Sequence, residues 1–137
     1  MDGPPTLEGA KAIATYFLLL YPYVYQSGDV RDWNSISDPQ CVFCASVQKR
    51  ANDQRGQALH LEGGGVTVTE VHGTEVTVGA FFDVNVRLAQ APSKTVSTLG
   101  VVTTETTGGD ATADVVVTFK NGTWQIRELS TKVRAAS

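Results

Sequence analysis

Two cysteines separated by two residues, Cys41 and Cys44, carry the clearest chemical signal in the sequence. The Asp38-Pro39 pair before them predicts a helix start, which places both thiols in the first turn of a helix, where their spacing permits a disulfide. A thioredoxin-like redox pair requires a preceding strand in a βαβ unit, whereas a helix and a short loop are predicted here. A zinc site requires two further ligands, and the two histidines, His60 and His72, have no ligand-like spacing.

Three interpretations of this cysteine pair remain open: a structural disulfide formed in an oxidising compartment, two reduced buried thiols, or redox or metal chemistry. We favour the disulfide and predict no metal site and no cofactor. The loop that Cys41 and Cys44 would close is so short that its entropic contribution to stability is small. The expected role is local, because the bond would fix the start of the helix beneath a sheet.

Acid–base chemistry would need a carboxylate or an imidazole that points into a cavity, and few residues qualify. Glu128 has the strand parity of the apolar residues Trp124 and Ile126, so alternation predicts that it points to the same side. A charge near a strand end more often reaches solvent or pairs with an arginine. His60 and His72 lie among charged or turn residues. If the protein is an enzyme, Glu128 and His60 are the candidate bases.

Composition and charge exclude several classes of protein. The 137 residues carry 14 acidic and 11 basic side chains, for a net charge of −3, and the longest basic run is Lys49-Arg50. This balance excludes a nucleic-acid-binding surface, which needs clustered positive charge. Hydrophobic residues make up 42% and charged residues 18%, which excludes a disordered chain. The longest uncharged apolar stretch, Ala12–Tyr25, is too short to cross a membrane.

The length predicts one domain, for which we expect residues 6–134, between an N-terminal linker at 1–5 and a tail at 135–137. The linker contains two prolines and lacks the basic and apolar segments of a signal peptide. A stiff linker that follows an export signal therefore fits this start better than a natural cytosolic terminus does.

The N-terminal half predicts three helices. The first begins with Thr6 as its N-cap and carries an apolar stripe at helical spacing, and Pro22 should kink it or end its regular part. A glycine-containing step ends this helix, and a short second helix follows over Val30–Ile36. The third begins with Asp38 as its N-cap and runs to about Arg55.

The C-terminal half holds most of the valines and threonines, whose branched side chains favour strands. We therefore predict an α+β fold in which the helices pack on one strongly bent antiparallel sheet of about five strands. The second strand is long, and Gly79 is the natural place for a bulge in it. The predicted strands are Val66–His72, Glu75–Gln90, Thr95–Thr107, Ala111–Lys120 and Thr123–Val133.

Three helices followed by a bent sheet that ends in Asn121–Ile126 (Asn-Gly-Thr-Trp-Gln-Ile) resemble the NTF2-like superfamily, in which a curved sheet folds over helices to form a cone. Within it, the chain is most similar to the actinobacterial secreted and lipoprotein domains of unknown function. The shared features are a tyrosine-rich first helix, the Ser27-Gly28-Asp29 step, the cysteine-containing segment Ser37–Cys44, and the Gly63–Gly65 entry to the sheet.

This resemblance implies an NTF2-like cone outside the cytoplasm, secreted or held at the membrane by a lipid anchor that lies outside this chain. It supplies no catalytic residues. In such a cone, Tyr16, Phe82 and Trp124 are expected to line the interior.

Two functions follow as hypotheses. We favour a non-enzymatic accessory or binding domain of a cell-envelope lipoprotein, with a protein, a wall component or a small apolar ligand as its partner and homodimer formation left open. The alternative is a small isomerase- or cyclase-type enzyme of the same superfamily that uses Glu128 or His60. A cytoplasmic location is the alternative to the cell envelope.

Overall fold

The structure is a computed structural model that describes residues 6–133. Three helices are followed by seven strands. The linker and the tail predicted at residues 1–5 and 135–137 lie outside the described residues, and so does residue 134. The helices are α1 (Leu7–Ser27), α2 (Arg31–Ile36) and α3 (Val42–Gly56), and the strands are β1 (Leu59–Gly63), β2 (Val66–Thr77), β3 (Phe81–Gln90), β4 (Ser93–Ser97), β5 (Val102–Thr106), β6 (Gly109–Lys120) and β7 (Thr123–Val133).

The strands form two antiparallel sheets, one in the order β1-β4-β5 and the other in the order β2-β3-β6-β7. The α+β class and the three N-terminal helices are confirmed, but the prediction of one bent sheet of about five strands is wrong. Only Ala91 and Pro92 separate β3 from β4, yet these strands belong to different sheets. Where we expected one sheet to bend, the chain therefore passes from one sheet to the other.

Two glycines have roles that differ from those predicted. The gap predicted between the strands Val66–His72 and Glu75–Gln90, which contains Gly73, is absent, because β2 runs through it to Thr77. A Cβ on Gly73 would lie 2.8 Å from Leu7 Cδ1, so this glycine allows α1 to approach the sheet closely. The turn lies at Gly79, where φ is +67° and the backbone N–H donates to the Glu75 carboxylate (2.9 Å). The predicted long second strand is therefore divided by a hairpin turn at the position expected to be a bulge.

The third predicted strand, Thr95–Thr107, is also a hairpin, in which β4 pairs with β5. Ser97 organises its turn, since Ser97 Oγ accepts hydrogen bonds from the backbone N–H groups of Leu99 (3.3 Å) and Val101 (3.1 Å). The segment Leu59–Gly63 adds a further strand, which pairs with β4. The hairpin is not evident from the sequence, because apolar residues within its turn continue the pattern of a strand.

The first helix follows its sequence signals at both ends. Thr6 Oγ1 accepts a hydrogen bond from the backbone N–H of Gly9 (3.1 Å), which confirms Thr6 as the N-cap, and Gly28 terminates the helix in the left-handed conformation. Pro22 does not end α1, which continues to Ser27. Among the described residues, no helix combines the length and the apolar character needed to cross a membrane.

The start of the third helix differs from the prediction. The helix begins at Val42 with Cys41 as its N-cap, not at Asp38. Residues before it are bound to the last strand instead: Ser37 forms a parallel bridge with Ile126, and the Asp38 backbone N–H donates to the Ile126 carbonyl (2.9 Å). Asp38 then begins a separate turn, in which its carboxylate accepts from the Gln40 backbone N–H (2.8 Å) and its carbonyl accepts from the Cys41 backbone N–H (2.9 Å), so the helix starts one turn later.

The helices cover one face of the four-stranded sheet, which we call the inner face, and the opposite face is called the outer face. Phe17 of α1 stacks on Trp33 of α2 with ring centroids 3.8 Å apart, and both side chains are buried beneath the sheet. Burial of large aromatic side chains is the dominant stabilising contribution in a core of this kind. The strands contribute Phe82, Val84, Val86, Ala113, Val115, Val117 and Ile126 to this core.

A bulge in β7 changes which of its side chains face inward. The pairing with β6 leaves Arg127 as an extra residue. Ile126 before the bulge is buried, and beyond it Leu129 is buried while Glu128 is exposed. The prediction that Glu128 points to the same side as Trp124 and Ile126 is therefore wrong, because the extra residue inverts the alternation.

Candidate ligand cavity

A cavity of about 190 Å³ lies between the helices and the inner face of the four-stranded sheet. Thr131 is exposed and marks the side that opens to solvent, whereas Leu18, Trp33 and Leu88 are buried and form the closed side. The residues that line the cavity are Leu18, Tyr21, Trp33 and Phe43 from the helices, and Val66, Leu88, Gln90, Ala111, Leu129 and Thr131 from the strands.

Three aromatic rings form the helix side of the cavity. The ring centroid of Tyr21 lies 6.2 Å from that of Trp33 and 6.1 Å from that of Phe43. The Trp33 side chain is 1% exposed, and its indole Nε1–H donates to the backbone carbonyl of Cys44 (3.0 Å). This hydrogen bond satisfies the one polar atom of a buried indole and fixes the orientation of the ring against the cavity.

The disulfide holds the end of α3 that contributes to this aromatic wall. Cys41 and Cys44 are bonded to each other, and both are buried. Cys41 Sγ also accepts a hydrogen bond from the Cys44 backbone N–H (3.1 Å), which caps the helix. Phe43 lies inside the loop that the bond closes, and Trp33 binds the Cys44 carbonyl. The prediction of a disulfide that fixes the start of this helix is confirmed.

The sheet side of the cavity carries two polar side chains, Gln90 and Thr131. The Gln90 side chain is half-buried, and its Nε2–H donates to the Gly64 carbonyl (3.2 Å). A carbonyl only accepts hydrogen bonds, so this contact sets the orientation of the amide and directs the Gln90 oxygen away from Gly64. No hydrogen bond from residues 6–133 reaches that oxygen. Thr131 adds a hydroxyl at the solvent side.

The residues predicted to line the interior occupy other positions. Phe82 and Trp124 are buried in the core with ring centroids 5.4 Å apart, and Tyr16 is half-buried against the same core. None of these three lines the cavity of 190 Å³. Sequence reasoning missed Gln90, which has no local signal, and Leu129, whose inward direction depends on the bulge in β7.

The candidate acid–base residues lie on three different strands, and none lines the cavity. His60 Nε2 is 3.2 Å from a Glu62 carboxylate oxygen, and His72 Nε2 is 2.8 Å from a Glu70 carboxylate oxygen. Both histidine side chains are exposed, and so is Glu128 on the outer face of β7. The structure does not bring these residues together with each other or with a cavity.

A pair of carboxyl groups on the outer face was not predicted as a unit. Asp83 of β3 and Asp114 of β6 are diagonal neighbours in the strand pairing, and Glu128 lies across from Val116 on the next strand. A side-chain hydrogen bond with Asp83, partial desolvation, and the charges of Asp83 and Glu128 together raise the pKa of Asp114 to about 6. One oxygen of Asp83 is buried without a hydrogen-bond partner among the described residues, which is consistent with a proton shared by the pair.

A larger depression of about 510 Å³ lies at the ends of β1, β4 and β5, but it is a weaker candidate. Its lining is charged and polar, including Glu62 and Lys94, which form an exposed ion pair at 3.7 Å. A shallow groove of this kind leaves most of a small ligand in water. Within residues 6–133, no three His, Cys, Asp or Glu side chains converge as a metal site requires.

Solved structures share this fold at low sequence identity. The intermembrane space region of the chloroplast protein ARC6 has a TM-score of 0.70 at 12% identity, covering 94% of this chain and 98% of that chain. An uncharacterized protein with a cystatin-like fold from Caulobacter vibrioides has a TM-score of 0.58 at 10% identity, covering 93% and 90%. An NTF2-like protein of unknown function from Pseudomonas putida KT2440 has a TM-score of 0.54 at 8% identity, covering 91% and 87%.

These identities establish the fold alone, which hosts many unrelated functions. They support the NTF2-like architecture that the sequence resembles. No curated protein sequence matches the chain. A family model does match, over residues 4–130, and its description is "Family of unknown function (DUF6318)". Because this match spans nearly the whole chain, the protein belongs to the DUF6318 family of unknown function.

Proposed function

We propose that this chain is a non-enzymatic binding domain of the cell envelope, outside the cytoplasm, and that its cavity holds a small apolar ligand. The observation that carries the proposal is the composition of the cavity wall. Three aromatic rings and five aliphatic side chains line it, and the remaining two lining residues are Gln90 and Thr131. A largely apolar concavity with a few placed polar groups is typical of small-molecule binding sites.

The same lining disfavours the alternative, an isomerase- or cyclase-type enzyme. General acid–base catalysis needs a carboxylate or an imidazole within hydrogen-bond reach of the bound substrate. His60, His72 and Glu128 lie elsewhere, and Asp114, whose pKa is raised to about 6, lies on the outer face. The geometry therefore supports binding more strongly than catalysis.

The disulfide supports the proposed location. Disulfides form and persist in oxidising compartments and are rare in the cytoplasm, where thiols are kept reduced. A cell-envelope lipoprotein, as the sequence resemblance implies, would expose this domain to such conditions. The protein can be produced both by export into an oxidising compartment and in a reducing cytoplasm. The bond between Cys41 and Cys44 should be present in the exported protein and absent from the cytoplasmic one. A reduced pair in the exported protein would contradict this part of the proposal.

Occupancy of the cavity can be tested with benzene as a probe. In two-dimensional NMR of the labelled protein, benzene should shift the indole signal of Trp33, which lines the cavity, and leave that of Trp124 unchanged. The variant Ala111→Phe places a ring in the cavity and should abolish the shift. Thr112→Phe is the matched control, because Thr112 is the next residue on β6 and points to the outer face.

The benzene experiment has three distinguishable outcomes. Loss of the Trp33 response in Ala111→Phe with its retention in Thr112→Phe would support a ligand site between the helices and the sheet. No response of Trp33 to benzene in the unmodified protein would overturn the proposal. Equal responses of Trp33 and Trp124 would indicate non-specific partitioning and would also overturn it.

A further inference from the structure

We propose that the ligand of this cavity is an uncharged molecule about the size of one substituted ring, and that its hydroxyl or amide N–H donates a hydrogen bond to the side-chain oxygen of Gln90. This inference rests on the proposed function and names the chemical class of its ligand. It depends on three separate observations: the volume of the cavity, the orientation of the Gln90 amide, and the absence of charged side chains from the lining.

The volume limits the ligand to a small molecule. A cavity of about 190 Å³ is somewhat larger than an apolar protein cavity of about 150 Å³ that accepts benzene. One ring with one or two small substituents therefore fills it, whereas a fused ring system or a long acyl chain would extend past Thr131 into solvent. The flat walls formed by Tyr21, Trp33 and Phe43 favour a planar ring, which can stack or meet them edge to face.

The orientation of the Gln90 amide determines which hydrogen-bonding group is left for a ligand. Its Nε2–H is bound to the Gly64 carbonyl, so the group left for a ligand is the oxygen, which only accepts hydrogen bonds. A ligand that carries a donor satisfies this oxygen when it displaces water from the cavity. A ligand without a donor removes the water and leaves the oxygen unpaired, which is unfavourable.

The lining also selects against charge. No Asp, Glu, Lys, Arg or His side chain is among the residues that line the cavity. An ionised carboxylate or ammonium placed against aromatic and aliphatic side chains loses its hydration without gaining a partner. The ligand is therefore neutral, and its polar group is a hydroxyl or an amide.

Four probes of similar size test this assignment by NMR titration, with the Trp33 indole as the reporter and the Trp124 indole as the internal control. Phenol carries a donor, anisole carries an oxygen without a donor, benzene carries neither, and benzoate carries a charge. We expect phenol to bind about three- to tenfold more tightly than benzene or anisole, the effect of one net hydrogen bond. Benzoate should cause no shift at concentrations where phenol saturates the site.

The variant Gln90→Met isolates the hydrogen bond, because it keeps an unbranched side chain of similar length and removes the acceptor. Phenol and benzene should then bind with equal affinity. Gln26→Met is the matched control: Gln26 Nε2–H donates to the adjacent carbonyl, that of Gly63 (2.9 Å), but Gln26 does not line the cavity. This control should retain the preference for phenol.

The results distinguish this inference from the proposed function. If benzene binds as tightly as phenol in the unmodified protein, the inference is wrong and the cavity remains a binding site. If benzoate binds as tightly as phenol, the assignment of a neutral ligand is wrong. If no probe shifts Trp33, the proposed function itself is wrong. The comparison of probes uses the unmodified protein, so it holds even where Gln90→Met fails to fold.

Discussion

The inner face of the four-stranded sheet buries valines and aromatic rings against the helices, whereas the outer face of the same strands places carboxyl groups beside one another. Neighbouring residues on one strand show the contrast: Ala113 is fully buried under the helices, and Asp114 next to it lies beside Asp83 on the opposite face, where its pKa is raised to about 6. Alternation along a strand is thus enough to separate two environments with opposite physical demands.

The two faces therefore contribute differently to the stability of the protein and to its dependence on pH. The inner face is stabilised by burial and packing, which vary little with pH. The outer face contributes unfavourable repulsion between carboxylates, which varies with pH because one of them binds a proton. Substitutions on the two faces should therefore differ in their effect on the free energy of unfolding and in the pH dependence of that effect.

The largest effect is expected from Trp33→Ala on the inner side. The substitution removes the ring stacked on Phe17, the hydrogen bond to Cys44 and one wall of the cavity, so it should lower the free energy of unfolding by about 3–5 kcal/mol. Urea denaturation followed by circular dichroism measures this. Val78→Ala is the control, because Val78 is 89% exposed and should change stability by less than about 0.5 kcal/mol. Similar losses in the two variants would refute the distinction between core and surface.

The second effect concerns the disulfide beneath the inner face. Replacing both cysteines, in Cys41→Ser with Cys44→Ser, should lower the free energy of unfolding by about 2 kcal/mol, the value expected for a loop this short. Reductant should destabilise the unmodified protein by a similar amount and leave the double variant unchanged. Alkylation of both thiols in the unreduced, unfolded protein would show that the bond is absent.

The third effect is a pH dependence that arises on the outer face. The pKa of Asp114 is about 6 in the folded protein against an ordinary value of 3.8. Between these values the folded state holds a proton that the unfolded state has released, so the free energy of unfolding falls as pH rises from about 4 to about 6. Asp114 is exposed, so solvent screening makes the change smaller than full linkage would give.

The matched variant for this prediction is Asp114→Asn, which keeps the shape of the side chain and removes its titration. It should be more stable than the unmodified protein at pH 7.5, and the two should converge near pH 4 in thermal unfolding. Arg31 lowers the pKa of Asp29 to about 2, so that carboxyl group titrates below this range and does not mask the effect. A difference that grows as pH falls would contradict the raised pKa of Asp114.

The smallest effects are expected for the three candidate acid–base residues. Glu128→Gln, His60→Gln and His72→Gln should each change the free energy of unfolding by less than about 0.5 kcal/mol, because all three side chains are exposed. Binding of benzene or phenol should be unchanged in each. A turnover that is lost in Glu128→Gln alone would establish the enzyme instead of the binding domain.

The sequence predicts local structure better than it predicts how strands are divided. Thr6 and Gly28 mark the ends of α1 because capping depends on adjacent residues. Gly73 and Gly79 look equivalent along the chain, yet one allows Leu7 to approach and the other forms a turn, a distinction that depends on a helix far away in sequence. The disulfide followed from spacing and the predicted helix start, although the helix begins at Val42.

The cavity was the least predictable feature, because its walls depend on contacts between distant segments. Leu129 faces inward only because Arg127 is an extra residue in β7, and a bulge leaves no clear signal in the sequence. Gln90 lines the cavity at the end of β3, where its partner is a carbonyl 26 positions earlier. Residue type alone does not reveal such a partner, since every backbone carbonyl is an equivalent acceptor.

The segment before α3 is attached to β7, and this attachment constrains the order in which parts of the fold can form. Ser37 pairs with Ile126, and the Arg127 guanidinium donates to the Gln40 side chain (2.7 Å) across 87 positions of the chain. Contacts so distant in sequence form late, because the intervening chain must first be ordered. A chain synthesised from its N-terminus therefore presents the apolar side of its helices before β7 exists, and Leu129 and Thr131 of that strand are the last residues to join the cavity lining. During synthesis, this interval is when the protein is most exposed to aggregation and proteolysis.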